Sequence, residues 1–213
     1  WRYFIMKKSK RVKKSNSWKI KQHRDQFFKK SKTLGYRSRA SFKLIELNEK
    51  YNFLKKNTNL LDLGSFPGGW SQVASKIITR GKIMAVDIKE MKPIDKINFL
   101  KGDILKKKTK YEVIQYFKSN LDVIVSDMAA DTTGNKSLDA IRTNQLCSDV
   151  INFSKDTLKP KGVLISKIFM GDDFLEVKNL AKSMFEKVNF FKPVSSRKES
   201  KETYLHCEIL KSL

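Results

Sequence analysis

Residues 59–70, which read NLLDLGSFPGGW, decide the fold of this chain. The apolar run Leu60–Leu63 ends at Gly64, a pattern typical of a short buried strand. Residues 68–79 follow with glycine at the start and apolar residues at helical spacing, which predicts a helix. A buried strand that passes through a glycine turn into a helix is the building unit of a parallel α/β sheet.

The same alternation continues to the end of the chain. We predict helices at residues 38–50, 68–79, 138–158 and 176–185, and strands at residues 59–64, 82–87, 97–100, 121–127, 163–169, 187–191 and 204–210. Ser38 is a plausible N-cap of the first helix. The last two strands are close in sequence, so we expect an antiparallel hairpin at one edge. The predicted fold class is therefore α/β, a mostly parallel, doubly wound sheet with helices on both faces.

Charge sets this chain apart from an ordinary globular domain. Its 213 residues are 40% hydrophobic, enough for one domain with a core, but 45 Lys and Arg face 22 Asp and Glu, a net charge of +23. Such a field attracts polyanions, which favours a nucleic acid partner. Lysine-rich codon usage that makes every surface basic is the alternative. A membrane partner is disfavoured, since no lipidation motif and no membrane-spanning apolar run accompany the charge.

Cysteine and histidine usage argues against a disulfide framework and against a zinc site. Cys147 and Cys207 are the only cysteines, and His23 and His206 are far apart without ligand spacing. Two isolated thiols fit a reducing compartment. We therefore expect no metal, and a structural role for His206.

The first 24 residues contain no acidic residue. A basic leader of this kind is typical of an organellar transit peptide. It is equally typical of an arm that binds RNA phosphates, and a tail without a role is the third possibility.

Three features at predicted strand ends form a candidate ligand site. The glycine loop Gly64–Trp70 follows the first strand, Asp87 ends the second, and Asp103 follows the third. Carboxyl ends of parallel strands meet at one crevice, where we expect Asp87 to accept hydrogen bonds from a ribose diol and Asp103 to bind an adenine amino group. The loop lacks the G-x-G-x-x-G pattern of dinucleotide enzymes, so we expect S-adenosylmethionine as the cofactor. An ordinary strand-to-helix turn is the alternative for the loop by itself.

Two charged residues are expected at the same crevice. Asp127 ends the fourth strand, and Lys167 lies in the apolar fifth strand near its carboxyl end. A lysine in an apolar strand is costly without a partner, and desolvation lowers its pKa, which suits it to act as a base. The alternative is a strand-end lysine that extends its ammonium to solvent. By themselves, Lys43 and Glu202 look like ordinary surface residues.

Five segments, in order along the chain, resemble the motifs of the FtsJ-like (RrmJ-like) ribosomal RNA 2′-O-ribose methyltransferases. They are GYRSRASFKL (35–44), DLGSFPGGWSQV (62–73), SDMAAD (126–131), KIFMG (167–171) and KPVSSRKESKETYL (192–205). The resemblance extends from about Ser17 to the C-terminus, and ordered motifs are more specific than any one of them. The chain departs from the family at Ser65 and Phe66, where Ala-Ala is common before Pro67, and at Ala130, where Pro is common.

The resemblance implies a Rossmann-like S-adenosylmethionine-dependent methyltransferase fold with seven strands, the last of them antiparallel. It implies that a catalytic tetrad is formed by Lys43, Asp127, Lys167 and Glu202. With it, we expect the cofactor to be bound by Gly64, Pro67, Gly68, Gly69, Trp70, Asp87, Asp103 and Asp127. We expect RNA to be bound by Tyr36, Arg37, Arg39, Arg197 and Lys198. Within the tetrad we choose Lys167 as the base, with its pKa lowered by burial and by the Lys43 ammonium.

The expected acceptor is RNA, because the 2′-hydroxyl is what RNA has and DNA lacks. We expect a basic arm at residues 1–30 and a single methyltransferase catalytic domain at residues 31–213, which acts as a monomer on ribosomal RNA or the large ribosomal subunit. Alternative functions are methylation of tRNA, a catalytically inactive RNA-binding assembly factor, and a viral cap methyltransferase, for which no cap-stacking aromatic pair is evident. The basic leader favours a mitochondrion or another organelle, with cytoplasm as the alternative.

Overall fold

The computed structural model describes residues 25–211. Its helices are α1 (Gln26–Thr33), α2 (Ala40–Tyr51), α3 (Gly69–Ile77), α4 (Lys107–Phe117), α5 (Lys136–Thr157) and α6 (Phe174–Met184). Its strands are β1 (Leu60–Leu63), β2 (Ile83–Asp87), β3 (Ile97–Lys101), β4 (Leu121–Ser126), β5 (Leu158–Phe169), β6 (Phe185–Phe191) and β7 (Glu202–Leu210). Residues 1–24 of the predicted basic arm, with His23, lie outside the described residues.

All seven strands form one sheet in the order β3-β2-β1-β4-β5-β7-β6. The pairs from β3 to β5 are parallel, whereas β7 pairs antiparallel with both β5 and β6. The predicted α/β fold with an antiparallel last strand is therefore confirmed, as is the β6–β7 hairpin at one edge. The hairpin order leaves β6 outermost, so β7 lies directly beside β5.

Helices cover both faces of the sheet because the strand side chains alternate between two cores. Leu61 and Leu63 of β1 pack into a core that includes Val113 of α4 and Ile151 of α5. Leu60 of β1 packs into the other core, to which α2 and α3 contribute. Both faces of β1 are buried, which is why its sequence is an almost continuous apolar run.

Four elements differ from the sequence-based expectation, and the first is α1, which was not predicted because most of it falls in the expected basic arm. Helix α4 was not predicted, because its buried stripe is only Thr109, Val113 and Phe117 in a lysine-rich segment. Strand β5 begins at Leu158, so residues 159–162, which were expected to separate the helix from the strand, belong to the strand. The pairing of β5 with β4 shifts its register in this part. Ser38 is not the N-cap of α2; that position is taken by Arg39, and no side chain caps the helix.

Helix α1 is capped by the residue that precedes it and contacts α2 through aromatic and charged side chains. Asp25 caps α1 by accepting hydrogen bonds from the amides of Phe27 and Phe28. The ring of Phe27 lies 5.6 Å from that of Phe42 in α2. Residues 26–30, which fall within the predicted arm, are thus part of a helix that contacts α2.

We predict that Ile124→Ala in the central strand β4 lowers the free energy of unfolding by about 2–5 kcal/mol, because it leaves a cavity in a fully buried position. Ile114→Ala in α4 is the matched control, since that side chain is 49% exposed and its loss costs about 0.5 kcal/mol or less. Urea unfolding of both variants measures the difference. Equal costs would contradict the core described above.

Candidate active site

Four charged side chains from different elements meet at the carboxyl end of the central strands. Lys43 comes from α2, Asp127 follows β4, Lys167 lies near the end of β5, and Glu202 begins β7. We call these four residues the charged cluster. Because β7 is antiparallel, its first residue lies opposite Phe169 at the end of β5. The structure therefore brings together all four residues that the family resemblance singled out.

Ion pairs of alternating sign connect the charged cluster. Lys43 Nζ lies 2.6 Å from Glu202 Oε1, and Lys167 Nζ lies 2.8 Å from Asp127 Oδ1 and 3.7 Å from Glu202 Oε2. Lys167 Nζ also donates to the main-chain oxygen of Asp127, at 2.9 Å. Each side chain is at most 17% exposed. Charges buried to this degree are tolerated only when they are paired.

Tyr204 is a member of this site that the sequence reasoning missed. Its hydroxyl donates to Asp127 Oδ1 at 2.6 Å and accepts a hydrogen bond from Lys43 Nζ at 3.1 Å. The residue is fully buried and lies directly opposite Lys167 in the sheet. The predicted strand began only at Tyr204, whereas the observed strand begins at Glu202, and the two-residue spacing then puts both side chains on one face.

The electrostatics of Lys167 differ from the expectation. Burial lowers the pKa of Lys167, but the carboxylates of Asp127 and Glu202 outweigh it, so the pKa lies above the ordinary value. The expectation of a lowered pKa is therefore wrong for the ligand-free protein. The prediction counted burial and the Lys43 ammonium but not the two carboxylates within 4 Å.

Both carboxylates of the charged cluster are held ionised. Burial raises the pKa of Asp127, but the Lys167 and Lys43 ammoniums outweigh it, and the net pKa is lowered. The same balance lowers the pKa of Glu202, where Lys43 is the stronger of the two cations. The cluster at neutral pH is accordingly a pair of carboxylates beside a protonated Lys167.

A cavity of about 560 Å³ opens beside the charged cluster, at the carboxyl ends of β1 to β4. Four of the predicted cofactor residues line it: Gly64, Asp87, Asp103 and Asp127. Its apolar walls include Leu63, Val86, Ile104 and Met128. An apolar pocket with a few acidic groups at its edge fits a nucleoside with hydroxyl and amino donors. The residues present thus fit the adenosyl group of S-adenosylmethionine.

Asp87 is oriented by the main chain on both sides. Its Oδ2 accepts a hydrogen bond from the Phe66 amide and its Oδ1 one from the Lys89 amide, each at 2.8 Å. Asp103 Oδ1 accepts one from the Leu105 amide at 2.9 Å. A carboxylate oxygen has a second acceptor site, so both acids can still bind ligand donors.

Gly64 is required by a close approach of two loops. Its φ is +71°, and a Cβ there would lie 2.7 Å from Met128 Cγ and 2.9 Å from Met128 N. The turn after β1 and the turn after β4 are therefore in contact. This contact shapes the cavity between the glycine loop and Asp127.

The other predicted cofactor residues do not line the cavity. Trp70 is 3% exposed, and its Nε1 donates to the Ala40 main-chain oxygen at 2.8 Å. Pro67, Gly68 and Gly69 form the turn into α3, with the Pro67 main-chain oxygen accepting from Arg37. In this structure these residues support the glycine loop on the side away from the cavity, through contacts with Arg37 and Ala40.

The predicted RNA-binding residues divide into an internal and an exposed group. The Arg37 guanidinium donates to the main-chain oxygens of Lys92 and Pro93, each at 2.6 Å, and Arg39 pairs with Asp25 and donates to the Ser195 oxygen. Tyr36 is half-buried, with its ring edge-on to that of Phe42 at 5.6 Å. Arg197 and Lys198 are exposed in the loop before Glu202.

Asp62 is a buried acid beneath the glycine loop that the sequence reasoning did not single out. It is fully buried in β1 and accepts a hydrogen bond of 2.5 Å from Ser71 Oγ at the start of α3. Burial raises the pKa of Asp62 to about 7; the Ser71 hydrogen bond opposes this rise, and the charges of Asp127 and Asp87 add to it. This carboxyl therefore titrates near neutral pH.

Comparison with known proteins gives the family. The sequence model of the family described as FtsJ-like methyltransferase matches residues 36–209. The chain belongs to this family. The resemblance that the five motifs predicted is thereby confirmed.

Relatives of this FtsJ-like methyltransferase are similar over nearly their whole length. Ribosomal RNA large subunit methyltransferase E of Pelagibacter ubique is 43% identical over 197 residues, which cover 92% of this chain and 97% of the relative. The protein of the same name from Rickettsia akari is 42% identical over 202 residues, 92% and 89% of the two chains. The crystal structure of a ribosomal RNA methyltransferase from Plasmodium falciparum has a TM-score of 0.74 and 34% identity, and the match covers 82% of this chain and 98% of that one.

Residues 25–211 contain neither a candidate metal-binding cluster nor a candidate membrane-spanning helix. No group of three or more His, Cys, Asp or Glu side chains in this part of the chain is arranged to hold a metal ion. No described helix combines the length and the apolar character that crossing a bilayer requires.

We predict that Asp62→Asn removes the decrease in the free energy of unfolding that buried Asp62 causes as pH rises toward neutral. Between about pH 4 and 7 the unfolded chain has released a proton that the folded protein keeps on Asp62, so wild-type stability falls as pH rises through this window. The stability of the variant relative to wild type should therefore increase by about 3 kcal/mol between pH 5 and 8. Urea unfolding at both pH values measures it, with exposed Asp95→Asn as control. A difference between the two proteins that does not change with pH would contradict the assignment.

Proposed function

We propose that this protein transfers the methyl group of S-adenosylmethionine to a ribose 2′-hydroxyl of large-subunit ribosomal RNA. The observation that carries the proposal is the position of Asp127, which lines the cavity and also belongs to the charged cluster. A methyl donor in the cavity and an acceptor hydroxyl at the charged cluster would be neighbours. Alignment of two reactants in this way supplies a large part of the acceleration of such displacements, on the order of several kcal/mol.

The cofactor would be held by the cavity residues that the sequence already suggested. Asp87 would bind its ribose hydroxyls, Asp103 its adenine amino group, and the apolar walls its purine ring. When bound, S-adenosylmethionine supplies a methyl group on a sulfonium, which an oxygen nucleophile can displace. Asp127 beside it would favour that positive charge.

The charged cluster is suited to hold a ribose hydroxyl and manage its proton. In its neutral form, Lys167 Nζ would accept the proton of the 2′-hydroxyl, and the positive charge that it then carries would stabilise the negative charge that develops on the oxygen. Lys43 would add to this stabilisation, while Glu202 orients both lysines through charge-assisted hydrogen bonds. As the base, Lys167 must first lose its own proton, because its pKa is raised.

The choice of RNA rests on charge and on the relatives. A net charge of +23 and the exposed Arg197 and Lys198 beside Glu202 suit a polyanion close to the site of chemistry. The relatives from Pelagibacter ubique and Rickettsia akari are named ribosomal RNA large subunit methyltransferases. Action as a monomer and an organellar location remain predictions.

Methyl transfer with radioactive S-adenosylmethionine tests the proposed function directly. We predict label in large-subunit rRNA or in assembled large subunits. The phosphodiester bond after the labelled nucleotide should resist alkaline hydrolysis, because that cleavage needs a free 2′-hydroxyl. Lys167→Ala should reduce the rate by about 10² or more, because general acid–base groups contribute about 10²–10⁴, while cofactor binding by calorimetry persists. Lys187→Ala is the matched control, since this lysine is exposed on β6.

The acceptors distinguish the alternatives. Label only in tRNA would keep the chemistry and overturn the substrate. Bound cofactor without label in any RNA would favour an inactive assembly factor. Label only in capped RNA would point to a cap methyltransferase, and undiminished transfer by Lys167→Ala would exclude that lysine from the reaction.

The pH dependence of the reaction tests Lys167 as the base. Because its pKa is raised in the free protein, only its small neutral fraction can accept a proton, and this fraction grows about tenfold per pH unit. We predict that the logarithm of kcat/KM rises with a slope of about one from pH 7 to 9, since kcat/KM reports ionisations of the free enzyme. A profile that is flat over this range would assign the proton to another acceptor.

A further inference from the structure

Three charged residues, the N-cap of α2 and two residues on one face of that helix, act on Glu202 or on the loop before it. Arg39, Lys43 and Glu46 are four and three residues apart, a spacing that aligns side chains along a helix. Lys43 contacts Glu202 directly. Arg39 and Glu46 contact it indirectly, through the loop that joins β6 to β7.

Arg39 and Glu46 hold a turn of this loop, residues 193–196, by its main chain. Glu46 accepts hydrogen bonds from the amides of Val194 at 2.5 Å and Ser195 at 3.0 Å, one at each carboxylate oxygen. Arg39 donates to the main-chain oxygen of Ser195. Charge-assisted hydrogen bonds are about twice as strong as neutral ones, so this turn is firmly attached to α2.

The 193–196 turn presents one hydroxyl to the charged cluster. Ser196 Oγ donates to Glu202 Oε1 at 2.9 Å, and the two residues are 5% and 8% exposed. The same oxygen accepts from Lys43, whereas Oε2 faces Lys167 at 3.7 Å. Two donors on Oε1 fix the rotation of the carboxylate and leave Oε2 directed at Lys167.

Asp25 connects this arrangement to the first helix. Its Oδ1 caps α1, while its Oδ2 pairs with Arg39 and lies 3.8 Å from Arg197 Nε. Two cations therefore share a single carboxylate. Arg39 is held between the start of α1 and the 193–196 turn.

We propose that Arg39, Glu46 and Ser196 are positioning residues for the reaction: the first two clamp the 193–196 turn to α2, and the third orients Glu202 toward Lys167. The inference rests on the proposed function, because it assigns these residues to the same site. Arg39, Glu46 and Ser196 belong neither to the charged cluster nor to the lining of the cavity. Their role is to reduce the motion of a carboxylate that a loop would otherwise leave loosely placed.

The first test separates turnover from binding. We expect Ser196→Ala to lower kcat about tenfold, since small misplacement of reacting groups is costly, with KM for RNA and the Kd of S-adenosylmethionine changed less than twofold. Ser196→Thr keeps the hydroxyl and should restore most of the rate. Ser183→Ala, which removes a comparable hydrogen bond on exposed α6, is the control.

The second test examines the clamp without any need for activity. We expect Glu46→Gln to accelerate hydrogen exchange of the Val194 and Ser195 amides at least tenfold, because one neutral oxygen replaces two charged acceptors. Arg39→Lys should accelerate the same amides, since a lysine lacks the fork that joins Asp25 to Ser195. Glu49→Gln on an exposed position of α2 is the control.

The outcomes are distinct. Unchanged exchange in Glu46→Gln and Arg39→Lys overturns the clamp, and wild-type kcat in Ser196→Ala, or failure of Ser196→Thr to recover, overturns the orienting role. Wild-type protein that methylates no RNA defeats the proposed function. In that case the exchange measurement still decides for or against the clamp.

Discussion

The rest of the site depends on the mutual neutralisation of four buried charges. None of Lys43, Asp127, Lys167 and Glu202 is stable alone in this environment, and removing one partner of a buried pair typically costs about 3–5 kcal/mol. The cluster therefore constrains the elements that supply it. An antiparallel β7 brings its first residue to the carboxyl end of β5, whereas a parallel strand would bring Leu210 there. The antiparallel direction of β7 is therefore what allows Glu202 to pair with both lysines.

Two neighbouring buried acids show how partners decide ionisation. Asp127 lies between two ammoniums, so its pKa is lowered despite burial. Asp62 is one strand away with a single serine donor, and burial raises its pKa to about 7. Burial alone therefore does not tell which acid is charged. The same reasoning explains Lys167, whose raised pKa reflects two carboxylates rather than its apolar strand.

Sequence patterns predicted the parts of the structure that depend on local order. The apolar run of β1 and the strand-end acids, Asp127 among them, follow from hydrophobic periodicity and from the geometry of parallel sheets. Lys43 and Glu202 were identified only through the family resemblance, because their partners are distant in sequence. Arg37 shows the limit most clearly: in sequence it resembles any phosphate-binding arginine, but its guanidinium binds main-chain carbonyls. Which acceptor a cation finds is decided by tertiary packing.

Helix α2 holds the loop before Glu202 through charged side chains that bind the main chain of the loop. Arg39, Lys43 and Glu46 have fixed spacing because the helix fixes it, and all three act on Glu202 or on the turn before it. Exposed Arg197 follows buried Ser196 directly in the same loop. A phosphate bound on the outer side and the carboxylate oriented on the inner side would thus be separated by one peptide. The hydrogen bonds that hold the 193–196 turn therefore fix the inner side, where Glu202 is oriented, and leave the Arg197 side chain exposed on the outer side.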